Sequence, residues 1–211
     1  MTATLLVTLI ASTLLCGVYL RLARRWQILD TPNARSSHLL PTPHGGGAPM
    51  LLAFGLGLLL AQYWVGTWPL LYLQLSGIAL LLMLLGIADD LWSLSVRLRF
   101  GIYGLSCLAA VVFIVPPPAT ASVLTVALLM VAATLAMLWL VNLFNFMDGI
   151  DGIAATQCLL ACTAAAFLAS GGAYAGFCLL LAASQLGFLV WNWPPARLFM
   201  GDAGSIPTGF L

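Results

Sequence analysis

The feature that most constrains this chain is where its charge sits. All seven Arg and six Asp fall in alternate connections between long apolar runs, and the intervening connections carry no ionisable side chain. The runs cover approximately 2–20, 47–64, 69–88, 100–115, 122–141, 153–170 and 173–190, and 206–211 opens another. A bilayer-crossing helix needs about 20 mainly apolar residues. Lipid offers an exposed backbone no hydrogen-bond partner, so each run is expected as a helix and not a strand. The expected fold class is all-α: a polytopic transmembrane helical bundle of seven full spans plus the start of an eighth, one catalytic domain over residues 1–211.

The charged or polar connections are Arg21–His44, Asp89–Arg99, Asn142–Asp151 and Asn192–Asp202, whereas Val65–Trp68, Pro116–Ala121 and Gly171–Gly172 have no ionisable group. Short Arg-bearing loops stay in the cytoplasm, so the N-terminus is expected outside and every charge on the cytoplasmic face. An Asp at mid-membrane costs roughly 2.5–3.5 kcal/mol on insertion scales, which favours helix ends for all of them. The acidic residues are thus expected to converge on one face.

Composition excludes a water-soluble domain. The chain is 63% hydrophobic and 6% charged, against about 25% charged in soluble proteins. Lys and Glu are absent and the net charge is +1, so nothing points to nucleic acid or another polyelectrolyte. Five Cys fall inside apolar runs without disulfide or zinc-ligand spacing. Cys158 and Cys162 would share a helix face and are read as packing. The first run ends on Arg21, Arg24 and Arg25 with no small-residue cleavage site, so it reads as a retained span.

Four segments could do chemistry. In Asp30-Thr-Pro-Asn-Ala-Arg35-Ser-Ser-His38-Leu-Leu-Pro41-Thr-Pro-His44-Gly45-Gly46-Gly47, the prolines favour extended or turn backbone, and three glycines before a helix offer N–H groups to an anion. The pair Asp89-Asp90 closes the third run. Adjacent carboxylates repel, and at a helix C-terminus the dipole disfavours them too, so the pair points to metal or acid–base work. Asn142, Asn145, Asp148 and Asp151 recur every three residues, with Gly149 and Gly152 between and after. On a helix this spacing makes a polar stripe able to face one ligand. The segment Trp191-Asn-Trp-Pro-Pro-Ala-Arg197-Leu-Phe199-Met-Gly-Asp202-Ala-Gly-Ser205 offers a ring face in Phe199, amide hydrogen bonds in Asn192, a phosphate partner in Arg197 and a metal ligand in Asp202. Trp191 and Trp193 read as interfacial anchors. In the last three charged connections five Asp outnumber three Arg. Such a site repels phosphates unless Mg²⁺ binds, and with it becomes suited to phosphoryl transfer.

These four segments, in this order, resemble the polyprenyl-phosphate N-acetylhexosamine-1-phosphate transferases, the family that includes the muramoyl-pentapeptide phosphate translocases. The Asp30–Gly47 loop is more similar to the branch that primes O-antigen, exopolysaccharide or teichoic-type polymers. The resemblance implies transfer of a sugar 1-phosphate from a UDP-N-acetylhexosamine donor to undecaprenyl phosphate, with release of UMP and a requirement for Mg²⁺ or Mn²⁺. It also implies a multi-pass protein of the bacterial inner membrane with its site on the cytoplasmic face, and often a homodimer. Carried over by position, Asp89, Asp90 and Asp148 are catalytic candidates, Asp89 as activator of the lipid phosphate. Asp202 and Asp148 are the metal candidates. Asn145, Asp151, Asn192, Phe199, His38 and Gly46 are the substrate-binding candidates, with Phe199 stacking on uracil.

Departures from the family pattern are His44 where Arg is usual and Tyr103 where Gln is frequent. The family's later His-rich loop has no counterpart, and Leu211 falls early in the eighth helix, so a truncated chain is expected. Three rivals make different demands. A cation-coupled transporter needs carboxylates near the bilayer midplane. A CDP-alcohol phosphotransferase needs an Ala-Arg soon after Asp-Gly, which is not found after Asp148-Gly149 or Asp151-Gly152. An inactive truncated homologue would fold but release no UMP.

Overall fold

The computed structural model describes residues 1–32, 40–66, 68–114 and 122–211. Within them lie helices α1 (Thr2–Arg25), α2 (Gly47–Val65), α3 (Leu70–Trp92), α4 (Val96–Ile114), α5 (Val123–Met147), α6 (Ile153–Leu168), α7 (Gly172–Asn192) and α8 (Asp202–Phe210). Between α1 and α2, strand β1 (Leu29–Asp30) pairs antiparallel with β2 (Thr42–Pro43). His38 and the expected connection at 116–121 lie outside the described residues.

The apolar runs are helices, and several continue beyond their apolar part. The first runs on to Arg25, the third through Asp89 and Asp90, and the fifth through Asn142 and Asn145. Intrahelical hydrogen bonds do not stop where hydrocarbon does, so a last turn carries polar residues into the interface. By length and composition α1 to α5 and α7 can cross a membrane. Helix α6 has 16 residues, shorter than the usual span, so the seven full spans expected are seen among the described residues as six long helices and a shorter one. The eighth helix starts at Asp202, four residues before its apolar run, because a carboxylate suits a first helical turn.

Helix α7 packs against α1, α2 and α6, and buries Leu180, Leu181, Ser184, Gln185 and Phe188. Its crossing with α1 carries polar bonds as well: Ser12 Oγ donates to the Ser184 carbonyl at 2.6 Å, and Trp191 Nε1 donates to the Thr13 carbonyl at 2.9 Å. Trp191, expected as an interfacial anchor, is thus a brace between two helices, while Trp193 is exposed. Helix α8 packs on α3 and α5, with Ile206 and Phe210 joining Leu82, Tyr103 and Val141. Helix α5 buries only Val141 among its residues and exposes Leu124, Leu128 and Trp139. A surface this apolar requires an apolar solvent, as a multi-pass membrane protein has.

Candidate active site

The site is organised by the start of α8. Gly201 precedes it at φ 73°, ψ 172°, a backbone region essentially restricted to glycine. The entering turn then fits between two other helices because glycines face it. Gly47 at the head of α2 lies against the Gly204 backbone, and Gly86 on α3 lies against Asp202 and Ala203, leaving no space for a methyl at either place. The connection leading to α8 is pinned as well. Phe199 N–H donates to the Pro43 carbonyl at 2.8 Å, Gly46 N–H to the Phe199 carbonyl and Gly47 N–H to the Met200 carbonyl, each at 2.9 Å.

Four carboxylates meet at this turn from three helices. Asp89 and Asp90 come from the last turn of α3, Asp148 from the residue after α5, and Asp202 from the first turn of α8. Asp148 Oδ2 accepts Gly201 N–H at 3.2 Å, and Asp202 Oδ1 accepts Asn145 Nδ2 at 2.9 Å. The same Asn145 amide donates to Ser205 Oγ at 2.7 Å, and that hydroxyl donates to the Gly201 carbonyl at 3.1 Å. Asp90 lies beside the Ala203 backbone N–H, which favours its charged form, and has an oxygen 3.9 Å from His44 Nδ1. Arg99 on α4 pairs with Asp89 and reaches Asp202 at 3.4 Å, while Leu94 N–H donates to the other Asp89 oxygen at 2.8 Å.

The electrostatics follow from crowding and burial. Burial pushes the Asp148 carboxyl up to about 8; the Gly201 N–H opposes the rise, and the Asp202 and Asp90 charges add to it. Burial also raises Asp202, with the Asn145 hydrogen bond pulling it down and Asp89 pushing it up. His44 is lowered by burial, against the upward pull of Asp30 and Asp202, so it is a weak counter-charge near neutrality. Among the described residues Arg99 is the one arginine that pairs with this group, through Asp89 and Asp202. Crowded carboxylates of this kind are what a divalent cation would relieve. Among the described residues no three acidic, His or Cys side chains are grouped so as to hold a metal ion by themselves; Mg²⁺ takes one or two carboxylates and fills its shell with water and substrate oxygens.

Several expected roles look different in three dimensions. The period-three stripe divides, because α5 ends at Met147 and a turn to Gly152 intervenes. Asn145 and Asp148 face α8, but Asn142 Nδ2 donates to the Leu138 carbonyl of its own helix at 2.7 Å. Asp151 instead accepts Ala196 N–H at 2.8 Å, joining the two connections. Asn192 is 3% exposed, accepting Gly152 N–H and donating to the Leu198 carbonyl, each at 3.0 Å. Both ends of its amide are engaged with backbone. The Gly46 and Gly47 N–H groups are likewise committed to carbonyls, so they are not free to cradle an anion. Arg197 lies over the Trp191 ring at 4.8 Å and donates to the Val190 carbonyl. Phe199 is half-buried in the pinned connection. Reasoning from the sequence missed Arg99 as a clamp and Gly86 as the seat of α8; the one-turn spacing of Gly86 before Asp89-Asp90 was the available signal. No carboxylate of the group lies mid-helix, against the transporter rival.

The chain is similar to known proteins along most of its length. Residues 72–211 match the family model described as glycosyl transferase family 4. The chain is 29% identical to a probable undecaprenyl-phosphate N-acetylglucosaminyl 1-phosphate transferase of Bacillus subtilis, over 97% of this chain and 59% of the relative. It is 30% identical to a decaprenyl-phosphate N-acetylglucosaminephosphotransferase of Mycobacterium leprae, over 90% of this chain and 54% of the relative. A phospho-N-acetylmuramoyl-pentapeptide-transferase of Moorella thermoacetica is 44% identical over a shorter stretch, 41% of this chain. The chain thus spans somewhat more than half the length of the first two relatives.

Proposed function

Since the chain belongs to glycosyl transferase family 4, we propose that it carries the catalytic carboxylates for moving an N-acetylhexosamine 1-phosphate from a UDP-sugar to undecaprenyl phosphate, with release of UMP. The observation that carries this reading is the convergence of Asp89, Asp90, Asp148 and Asp202 on the entry to α8. The relatives named for N-acetylglucosamine 1-phosphate transfer align along nearly the whole chain, which favours an N-acetylglucosamine-type donor. The product would be the first lipid-linked intermediate of an envelope polysaccharide such as O-antigen. A site on the cytoplasmic face of the bacterial inner membrane, with the N-terminus outside, is supported by the tendency of short Arg-bearing connections to stay in the cytoplasm.

Asp148 and Asp202 are the residues that would hold Mg²⁺ or Mn²⁺. When bound, the ion supplies charge neutralisation for the donor pyrophosphate. Asn145 orients Asp202 through its amide, and the Gly201 N–H orients Asp148. The remaining work is the positioning of two anions for in-line displacement at phosphorus, which accounts for much of the rate in such reactions. The lipid phosphate oxygen forms a bond to the donor's β-phosphorus as the bond from that phosphorus to the UMP oxygen breaks. Asp89 is held on both oxygens, by Arg99 and by Leu94 N–H, so its part is to fix Arg99 and the turn after α3. Asp90 is the member of the pair left facing the turn at Gly201, beside His44, and is better placed to assist the lipid phosphate. Asp151 and Asn192 hold the loops that carry Phe199, whose ring is the candidate stacking surface for uracil.

The test is direct. The protein is purified in lipid and given undecaprenyl phosphate, Mg²⁺ and a panel of radiolabelled UDP-N-acetylhexosamines. Release of UMP with one donor and formation of labelled lipid are expected. A folded protein that forms no labelled lipid with any donor would leave this chain an inactive homologue.

A further inference from the structure

Three buried side-chain polar atoms have no hydrogen-bond partner among the described residues: Arg99 Nε, Tyr103 Oη and Gln185 Oε1. Two of the three belong to residues four apart on α4, which places them on one helix face. Tyr103 is 3% exposed. Its ring is accounted for by apolar packing with Leu82, Val141 and Ile206, and by a tilted contact with Phe100 at 6.2 Å between centroids. Its hydroxyl is not accounted for. Tyr103 stands one helical turn from Arg99, whose guanidinium pairs with Asp89 and Asp202, so it lies toward the acidic end of α4, and the charges of Asp202, Arg99, Asp89 and Asp90 act on its hydroxyl.

A buried hydroxyl and a buried guanidinium N–H both need an acceptor. The nearby carboxylates do not supply one. Asp89 is taken on one oxygen by Arg99 Nη1 and on the other by Leu94 N–H, and Asp202 is taken by Asn145 and Arg99. Among the described residues no oxygen meets either donor. We propose that the Tyr103 hydroxyl and the Arg99 Nε–H together receive a phosphate oxygen of the substrate, making Tyr103 a substrate-binding residue. This rests on the function proposed above and adds a residue to it. The Arg99 contact with Asp202, at 3.4 Å, is the looser leg of its bridge. That leg gives way to admit the oxygen, while the pairing with Asp89 stays as the pivot. A planar guanidinium suits this, having donors to spare after one carboxylate is bound. The oxygen belongs to a phosphomonoester or to a pyrophosphate, that is, to the lipid acceptor or to the nucleotide donor.

Tyr103→Phe removes the hydroxyl and keeps the ring. The measurements are the melting temperature of the substrate-free protein in lipid, and the affinity for undecaprenyl phosphate and for UDP-N-acetylglucosamine in separate arms with Mg²⁺ present. Deleting an unpartnered buried hydroxyl is expected to leave the melting temperature unchanged or raise it. Affinity in one arm is expected to fall about 10-fold or more, as for loss of a hydrogen bond to a charged group. The arm that falls identifies the phosphate. Equal affinities of wild type and variant in both arms would mean that the donors serve a trapped water only; that overturns the inference and leaves the proposed function standing. A wild-type protein that binds neither compound overturns both.

Discussion

Replacing Gly86 by Ala adds one methyl group at the seat of α8. That methyl would stand 2.5 Å from the Ala203 nitrogen and 2.6 Å from both the Ala203 Cα and the Asp202 carbonyl carbon. All three are backbone atoms, so no side chain can swing aside. Comfortable contact begins near 3.5 Å, and the first turn of α8 must therefore retreat by about 1 Å. Overpacking of this kind costs about 1–3 kcal/mol. A 1 Å displacement of a group that positions reactants costs about 100-fold in rate, and here Asp202 is the group displaced. Gly77 on the same helix provides the control, because a methyl there has nothing within 4 Å. Gly77→Ala should stabilise the helix by roughly 0.5–1 kcal/mol. Thermal melting in lipid nanodiscs, Mn²⁺ affinity and UMP release would be measured for both variants. Gly86→Ala should melt lower, bind Mn²⁺ more weakly and turn over far more slowly, whereas Gly77→Ala should match or exceed wild type in melting. If the two variants behave alike, the close seating of α8 on α3 does not position Asp202 and the reasoning fails.

Asp202→Asn should abolish metal-dependent UMP release, and activity unchanged at saturating Mg²⁺ would remove Asp202 from the metal. Asn192→Leu leaves the Gly152 N–H and the Leu198 carbonyl buried without partners; at about 1–3 kcal/mol for each group it should lower the melting temperature markedly, and a rise in KM with unchanged stability would instead restore Asn192 to the ligand. Asp148 gives a pH signature. Its folded carboxyl, near 8, binds a proton more tightly than the unfolded one, near about 3.9. That contribution to stability is complete below about pH 4 and is lost as pH rises through about 8. The metal-free melting temperature should fall over this range more steeply in wild type than in Asp148→Asn, and a divalent cation should flatten the difference; identical profiles would refute the assignment.

Much of this was legible because lipid imposes one rule on every segment. Apolar runs had to be helices, and an Asp had to find a helix end, so the gathering of Asp89, Asp90, Asp148 and Asp202 followed from topology. Contacts between segments were less legible. A spacing of three reads as one stripe only while the helix continues, and α5 stops at Met147, turning Asp151 toward Ala196. The glycines at 45–47 looked like an anion cradle, but two of their N–H groups pair with the connection before α8, a partner more than 150 residues away in sequence. Asn192 carries the same lesson, since a polar residue in a polar loop can be there to satisfy backbone groups. Arg99 looked like one charge among several, and only the approach of α4 to α3 and α8 makes it a bridge.

The most direct measurement is an anomalous-scattering map of the lipid-embedded protein soaked with Mn²⁺. One strong Mn²⁺ peak is expected, ligated by the Asp148 and Asp202 carboxylates, with Asp89 and Asp90 at the same end of the bundle. A map that ligates the ion elsewhere, or that separates those four side chains between opposite membrane faces, would contradict it.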